Sequence, residues 1–349
     1  MLTGKRVVVT GGTGSLGQAL VSRLLGGEMG LPAEVLVFSR DEAKQHEMRL
    51  RFEQLAEATD EVVYQSASER LRFRIGDVAS FDAVAGVLDG ADVVFNAAAL
   101  KQVPVCEYAP LEAVRTNILG PGNIVHAIRN LHLSVGVVVC ISTDKACKPV
   151  NVMGMTKAIQ ERVFVEANLE RPATRFVGVR YGNVLASRGS VVPLFHQQIR
   201  RGGPVTITSD EMTRFLLSLD DAVDVVFGAL RGARPGEIYV PRAPSARIVD
   251  LASVLIGERK IPTELVGIRP GEKIHEILVS EEESVRTFER DGYLAIAPAL
   301  PQLRTEDPGP QFEGREFSSA EQLLDLEGVD QLVRANRLLV EDEPELHRT

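Results

Sequence analysis

The chain has 349 residues, 44% of them hydrophobic and 25% charged, with a formal net charge of −9. That is the balance of an ordinary globular chain with room for one large domain or two smaller ones and a sizeable buried core. The acidic balance speaks against a general nucleic-acid binder, no apolar stretch approaches the about 20 residues of a membrane span, and MLTGKRVVVTGG runs straight into a strand without a leader pattern, so a cytoplasmic protein with no membrane span is expected.

RVVVT (6–10) predicts a first strand and SLGQALVSRLL the helix after it. EVLVFS (34–39) predicts a second strand, followed by a long polar helix from Asp41. RFRIGD (72–77), DVVFNAA (92–98), VGVVVCIS (135–142) and RFVGVRYGNV (175–184) predict further strands. Helical patterns lie between them, notably CEYAPLEAVRTNILGPGNIVHAIRN and GMTKAIQERVFVEANL. Strands alternating with helices imply βαβ units, and β-branched cores apolar on both faces imply a parallel sheet covered on both sides. The expected fold is therefore α/β, a Rossmann-type doubly wound parallel sheet with a smaller α/β substrate-binding domain. Beyond about residue 185 the pattern becomes irregular, with more Gly and Pro. The expected division is 1–184 plus about 216–234 for the nucleotide domain, 185–215 and 235–300 for the smaller domain, and 301–349 as a loop-rich C-terminal arm with a short helix near 319–338. Cys106, Cys140 and Cys147 form no even framework and no metal-like spacing, so no metal is expected; Cys140 ends an apolar run and is assigned to the core, the other two as incidental.

VVVTGGTGSLG places Gly11, Gly14 and Gly17 between a strand and a helix. In this form of the dinucleotide turn the glycines let backbone approach a pyrophosphate, and the helix start supplies N–H donors and the positive end of its dipole. Thr13, Ser15 and Leu16 of the same turn join the candidate contacts, as do Asp77 and Val78 after the third strand, Ala97, Ala98, Ala99 and Lys101 after the fourth, and Tyr181. Asp77 has two readings, a partner for the adenine amino group or the N-cap of the following helix. The second strand usually ends in an acid that binds the ribose diol; here it ends Ser39-Arg40, with Lys44 one turn on. Cations without that acid suit a 2′-phosphate, so NADP is expected over NAD, with Asp41 next door as the counter-argument.

The segment STDKACKPVNVMGMTK (142–157) has the layout of a short-chain dehydrogenase site, a hydroxyl-bearing strand end followed by a Tyr-x-x-x-Lys helix, except that Met153 stands where the tyrosine is expected. Lys157 follows at the spacing that puts both side chains on one helical face. With NAAALKQVPVCEYAP (96–110), RYGNVLASRGSVVPLF (180–195), MTRFLLSLDDAV (212–223) and RPGEKIHE (269–276), the chain resembles the UDP-N-acetylglucosamine 4,6-dehydratases of capsule, O-antigen and flagellar-glycan synthesis, which are extended short-chain dehydrogenases. The likeness spans roughly residues 4 to 280 and is strongest to the soluble type that inverts carbon 5, some members of which also carry Met at this position.

The resemblance implies an NADP cofactor regenerated each turnover, a UDP-sugar substrate, a homo-oligomer (hexamer or dimer), and a hydro-lyase reaction feeding surface-polysaccharide synthesis. It makes Asp144 the acid and Lys145 the base of the elimination. Such roles require a raised pKa for the carboxyl and a lowered one for the amine. Met153 cannot take the proton of the carbon-4 hydroxyl; a relay centred on Lys157 is expected, with Thr143 hydrogen-bonding that hydroxyl and Lys101 over the same pocket. Asn117 matches an asparagine that stabilises the catalytic lysine through a water. For the UDP, Asn183, Arg188, Ser190, Arg214, Arg269 and Glu272 are candidates, since a planar guanidinium binds phosphate oxygens in pairs; His275 is assigned a structural role. Two alternatives stand beside the dehydratase: a UDP-sugar 4-epimerase, which shares fold and cofactor, and a catalytically silent NADP-binding regulator, supported by Met153.

Overall fold

The structure is a computed structural model that describes residues 1–58, 69–170, 173–185, 190–306 and 308–342. Its strands in chain order are β1 (Arg6–Thr10), β2 (Glu34–Ser39), β3 (Leu71–Ile75), β4 (Val93–Asn96), β5 (Val137–Ile141), β6 (Arg175–Val179), β7 (Asn183–Val184), β8 (Val205–Ile207), β9 (Thr213–Leu217), β10 (Ile238–Pro241), β11 (Ser245–Arg247), β12 (Thr263–Leu265), β13 (Ile277–Val279), β14 (Thr287–Arg290), β15 (Tyr293–Ile296) and β16 (Phe317–Ser318). Nine form one sheet in the order β14-β15-β10-β6-β5-β4-β1-β2-β3. From β3 to β10 every pairing is parallel, and β15 and β14 add an antiparallel edge.

The first strand shows why the sheet is apolar throughout. Val7, Val8 and Val9 are all fully buried, and successive side chains point to opposite faces. Val7 and Val9 join the core formed with Leu20, Val21 and Leu24 and with Val223 and Phe227. Val8 joins the opposite core, with Val84, Leu88, Ile124, Ile128 and Phe164. Each valine contributes about 1.5–3 kcal/mol by leaving water, and a polar residue on either face would face a helix. The order runs outward from β1 in both directions, so the crossovers diverge between β1 and β4. The carboxyl ends of the strands open a crevice there, where such sheets bind ligands.

The later chain departs from expectation in four ways. Residues 238–241, 287–290 and 293–296 extend the main sheet, so 235–300 does not belong wholly to the smaller part; these four-residue strands are too short to carry a readable period. RFVGVRYGNV is two strands, β6 and β7 in different sheets, parted at Arg180, whose buried guanidinium pairs with Glu161 and Glu283 at 2.7 Å each. The helix expected near 319–338 spans Leu326–Ala335. The segment around it is no detached arm: Val329 and Val333 pack in one core with Val192, Phe195, Leu251 and Leu255, and β16 pairs with β13. Among the described residues, no helix is long and apolar enough to cross a membrane.

Candidate active site

Every residue expected to touch the cofactor lines one cleft of about 540 Å³, which runs from the glycine turn past Arg40 and Ala97–Lys101 to Asp144, Lys145, Met153, Lys157, Tyr181 and Asn183. At Gly11 φ is +66°, and a Cβ there would lie 2.7 Å from the backbone of Ala98; any side chain would wedge β1 from β4. At Gly17 a Cβ would sit 2.5 Å from Gly12 Cα, which lets the helix Ser15–Leu25 rest on the turn. Gly14 caps that helix with no side-chain hydrogen bond. The first-turn N–H groups of the helix have no intrahelical acceptors, so this cradle fits the pyrophosphate of a dinucleotide.

At the ribose end Arg40 lies 3.2 Å from Asp77 and Lys44 2.9 Å from Asp41. Asp77 also accepts from the Ala79 N–H at 2.9 Å. It is not the helix N-cap, a role Ser80 fills by accepting from Ala83 N.

The strand β5 delivers Ser142, Thr143 and a single 3₁₀ turn, Asp144–Ala146. Lys145 Nζ is 3.1 Å from Asp144 Oδ1 and 3.0 Å from Glu276 Oε1, and Thr143 Oγ1 donates to Asp144 Oδ1 at 2.9 Å. Burial raises the pKa of Asp144, and the nearby Lys145 ammonium offsets only part of the rise. Burial works against the Lys145 charge, but Asp144 and Glu276 outweigh it and raise its pKa. A lowered value was expected for a base; two carboxylates, rather than one, make the difference. For Glu276 burial is overcome by Lys145 and Arg214, which lower its pKa. Glu276 escaped the sequence reading although it ends the motif RPGEKIHE, because no local period announces a carboxylate that turns inward.

Lys157 and Met153 lie on the helix Val152–Glu170 and both are buried. Lys157 Nζ donates to Ile141 O at 2.5 Å and to Gln160 Oε1 at 2.8 Å, and burial lowers its pKa. Met153 packs with Cys106 and Ala113 while also lining the cleft. Gly154 has a tight reason for being glycine: a Cβ there would come 2.2 Å from Lys145 O. Asn117 sits in a π-helical turn, Arg115–Leu119. It donates to Leu100 O and Thr156 Oγ1 at 3.0 Å and accepts from Leu100 N at 2.8 Å; these bonds hold the segment after β4 and do not reach Lys157.

The expected substrate residues scatter. Asn183 lines the cleft, and its Oδ1, like Ser190 Oγ, is buried with no partner among the described residues. Lys101 is exposed at the rim. Arg214 turns away from the cleft: it is buried and donates to Thr213 O, Ile274 O and Lys273 O. Arg269 and Glu272 lie on a loop beyond the cleft lining, bonded to each other through Arg269 N and Glu272 Oε2 at 3.3 Å. Arg188 lies outside the described residues. His275 Nδ1 pairs with Thr213 Oγ1 at 2.9 Å. Among the described residues, no group of His, Cys, Asp and Glu is arranged to hold a metal ion.

A family model described as polysaccharide biosynthesis protein matches residues 7–298. The UDP-glucose 4-epimerase of Rickettsia prowazekii is 42% identical over 301 residues, 85% of this chain and 84% of that protein. Among solved structures, Pen from Bacillus thuringiensis superposes with a TM-score of 0.86 at 33% identity, covering 97% of this chain and 100% of the other. The dTDP-glucose 4,6-dehydratase DesIV from Streptomyces venezuelae, solved with NAD bound, shares the fold at a TM-score of 0.65 and 23% identity, over 77% of this chain and 86% of its own. The chain thus belongs to the polysaccharide biosynthesis protein family and carries the Rossmann-type fold of the extended short-chain dehydrogenases.

Proposed function

We propose that this protein is an NADP-dependent 4,6-dehydratase of a UDP-N-acetylhexosamine, UDP-N-acetylglucosamine being the substrate to try first, with inversion at carbon 5. The observation that supports it most is the pair Asp144 and Lys145, 3.1 Å apart, with a buried carboxyl whose pKa is raised. Epimerisation at carbon 4 needs a hydroxyl relay but no such pair. When bound, the nicotinamide would supply a hydride acceptor for sugar carbon 4 and a hydride donor for carbon 6.

The chain's own groups handle the protons. Lys157 relays the proton of the carbon-4 hydroxyl in place of a tyrosine, and Thr143 orients that hydroxyl. Lys145, as the free amine, takes the carbon-5 proton, made acidic by the new ketone. Asp144 gives its proton to the carbon-6 hydroxyl, which leaves as water. Inversion then requires that carbon 5 take its new proton from solvent on the face opposite Lys145 as carbon 6 is reduced, so the sugar has lost one water and no net electrons. Asn183, Ser190 and Lys101 are assigned to the nucleotide-sugar; Arg269 and Glu272 could join only by movement of their loop, and Arg214 serves the site through Glu276.

Among the described residues, the charges of Arg40 and Lys44 are engaged in surface pairs of 3.2 and 2.9 Å. Such pairs are worth about 0–1 kcal/mol, so a 2′-phosphate could take both cations over. Arg40→Asp should therefore weaken NADP relative to NAD; an unchanged preference removes the argument.

The name of the Rickettsia relatives favours a second reading, a UDP-glucose 4-epimerase. Incubation with UDP-N-acetylglucosamine and with UDP-glucose, read by mass spectrometry, separates the two. A product lighter by one water supports the dehydratase, an isomer of equal mass supports the epimerase, and cofactor binding without turnover of either sugar leaves the silent regulator.

A further inference from the structure

We infer that Glu276 is a positioning residue of the Asp144–Lys145 pair: its carboxylate fixes the Lys145 ammonium beside Asp144 and sets the pH at which Lys145 becomes a free amine. The inference deepens the dehydratase reading and rests on it for the meaning of that amine.

The geometry is specific. Glu276 Oε1 lies 3.0 Å from Lys145 Nζ, and the two side chains are 2% and 21% exposed. Its Oε2 and the Oδ2 of Asp144 are both buried without a hydrogen-bond partner among the described residues. One ammonium thus faces two buried carboxyls, each with an oxygen to spare. The other charges around it are Arg214, whose Nε is 3.9 Å from Glu276 Oε1, and Lys273, whose Nζ donates to Cys147 O at 2.6 Å. Cys147 itself is buried and its thiol is pushed up to about 12 by burial, so it stays neutral.

Glu276 is also held from behind. Its N–H donates to Ser319 Oγ at 2.9 Å and its carbonyl accepts from Ser319 N at 2.8 Å. Ser319 Oγ in turn lies 2.7 Å from Thr213 Oγ1. A carboxylate on a backbone so anchored, beside an ammonium in a poorly hydrated site, stabilises the charged form of the lysine by an amount that its neutral amide cannot match.

The test is the pH dependence of Glu276→Gln, which keeps the shape and removes the charge. Without the anion the ammonium is less stable and the free amine appears at lower pH. The acidic limb of kcat/KM for water loss should move down by about one pH unit or more. A second readout needs no turnover: acetylation of Lys145 by acetic anhydride across pH, followed by peptide mass spectrometry on the cofactor-containing protein, should show the same downward move. Glu276→Asp, which keeps the charge and retracts it by one methylene, should shift less in the same direction and covers the case in which the amide variant fails to fold. If Lys145 labels at the wild-type pH in both variants, Glu276 is merely structural and the proposal is overturned. If the labelling shifts but the wild-type protein removes no water from the sugar, the dehydratase reading falls and the Glu276 assignment stands.

Discussion

At the scale of single residues, the site turns on the Lys145 side chain and on the absence of one at Gly154. Lys145→Ala removes the proposed base while leaving the glycine cradle intact, so water loss should vanish with cofactor affinity unchanged, as read by fluorescence titration of NADP(H); turnover at the normal rate would exclude Lys145. Gly154 is the less obvious position. A methyl group there meets Lys145 O at 2.2 Å, so Gly154→Ala must push the 3₁₀ turn or the helix. Overpacking of this kind costs about 1–3 kcal/mol, and here the strain falls on the backbone of the acid–base pair. The expected outcome is a modest fall in Tm with a much larger fall in kcat; an unaltered kcat would mean that the turn tolerates displacement.

At the scale of elements, two polar residues connect segments that hydrophobic pattern does not join. Asn117 satisfies both backbone groups of Leu100 and reaches Thr156, tying the π-helical turn to the loop after β4 and to the helix of Lys157. Asn117→Leu leaves the half-buried Leu100 N–H without its partner and its C=O with only the Cys106 thiol at 3.6 Å, a loss on the order of 1–3 kcal/mol that chemical denaturation should report. Ser319, next to β16, clamps Glu276 next to β13. Ser319→Ala keeps the strand pairing and removes only the side-chain bonds, so stability should change little while the pH profile of activity moves in the direction given for Glu276→Gln.

At the scale of the whole molecule, a buried charge cluster lies behind the site. Arg180 donates to Glu161 and Glu283 with both partners nearly buried, and Ser142 Oγ donates to Glu161 at 2.5 Å. Burial alone would raise the pKa of Glu283, but Arg180 outweighs it and holds the carboxyl near about 2 against an ordinary 4.5. A depressed carboxyl pKa contributes stability that is complete above the unfolded value and is lost as pH falls toward the folded one. Stability should therefore fall by roughly 3 kcal/mol between pH 5 and pH 2 from this group, seen as a lower urea midpoint; Glu283→Gln should lower stability near neutrality and flatten that dependence. The surface offers a second expectation. Tyr108, Leu111, Leu119, Met155 and Ile159 are exposed on neighbouring helical segments that include Pro110–Val114 and Val152–Glu170, and we propose that a second copy of the chain covers them in the homo-oligomer that the resemblance implies. Leu111→Asp should then shift sedimentation toward the monomer; a wild-type protein already monomeric would remove the homo-oligomer that the resemblance implies.

Much of this protein was legible in its residues alone, because the signals are local. Period and burial in RVVVT and VVVCI, the glycines of the first turn and the adjacency of Asp144 and Lys145 all lie within a few residues of one another, where sterics and backbone geometry decide. What only the tertiary structure decided is which distant loops meet at the strand ends. It brought Glu276 to Lys145, turned Arg214 inward onto backbone carbonyls, placed residues 238–241, 287–290 and 293–296 in the main sheet and folded the last helix into the core around Phe195. The physical reason is that a buried ion pair is fixed by the packing that excludes water around it, and that packing is a property of the assembled elements rather than of either strand that supplies the charge.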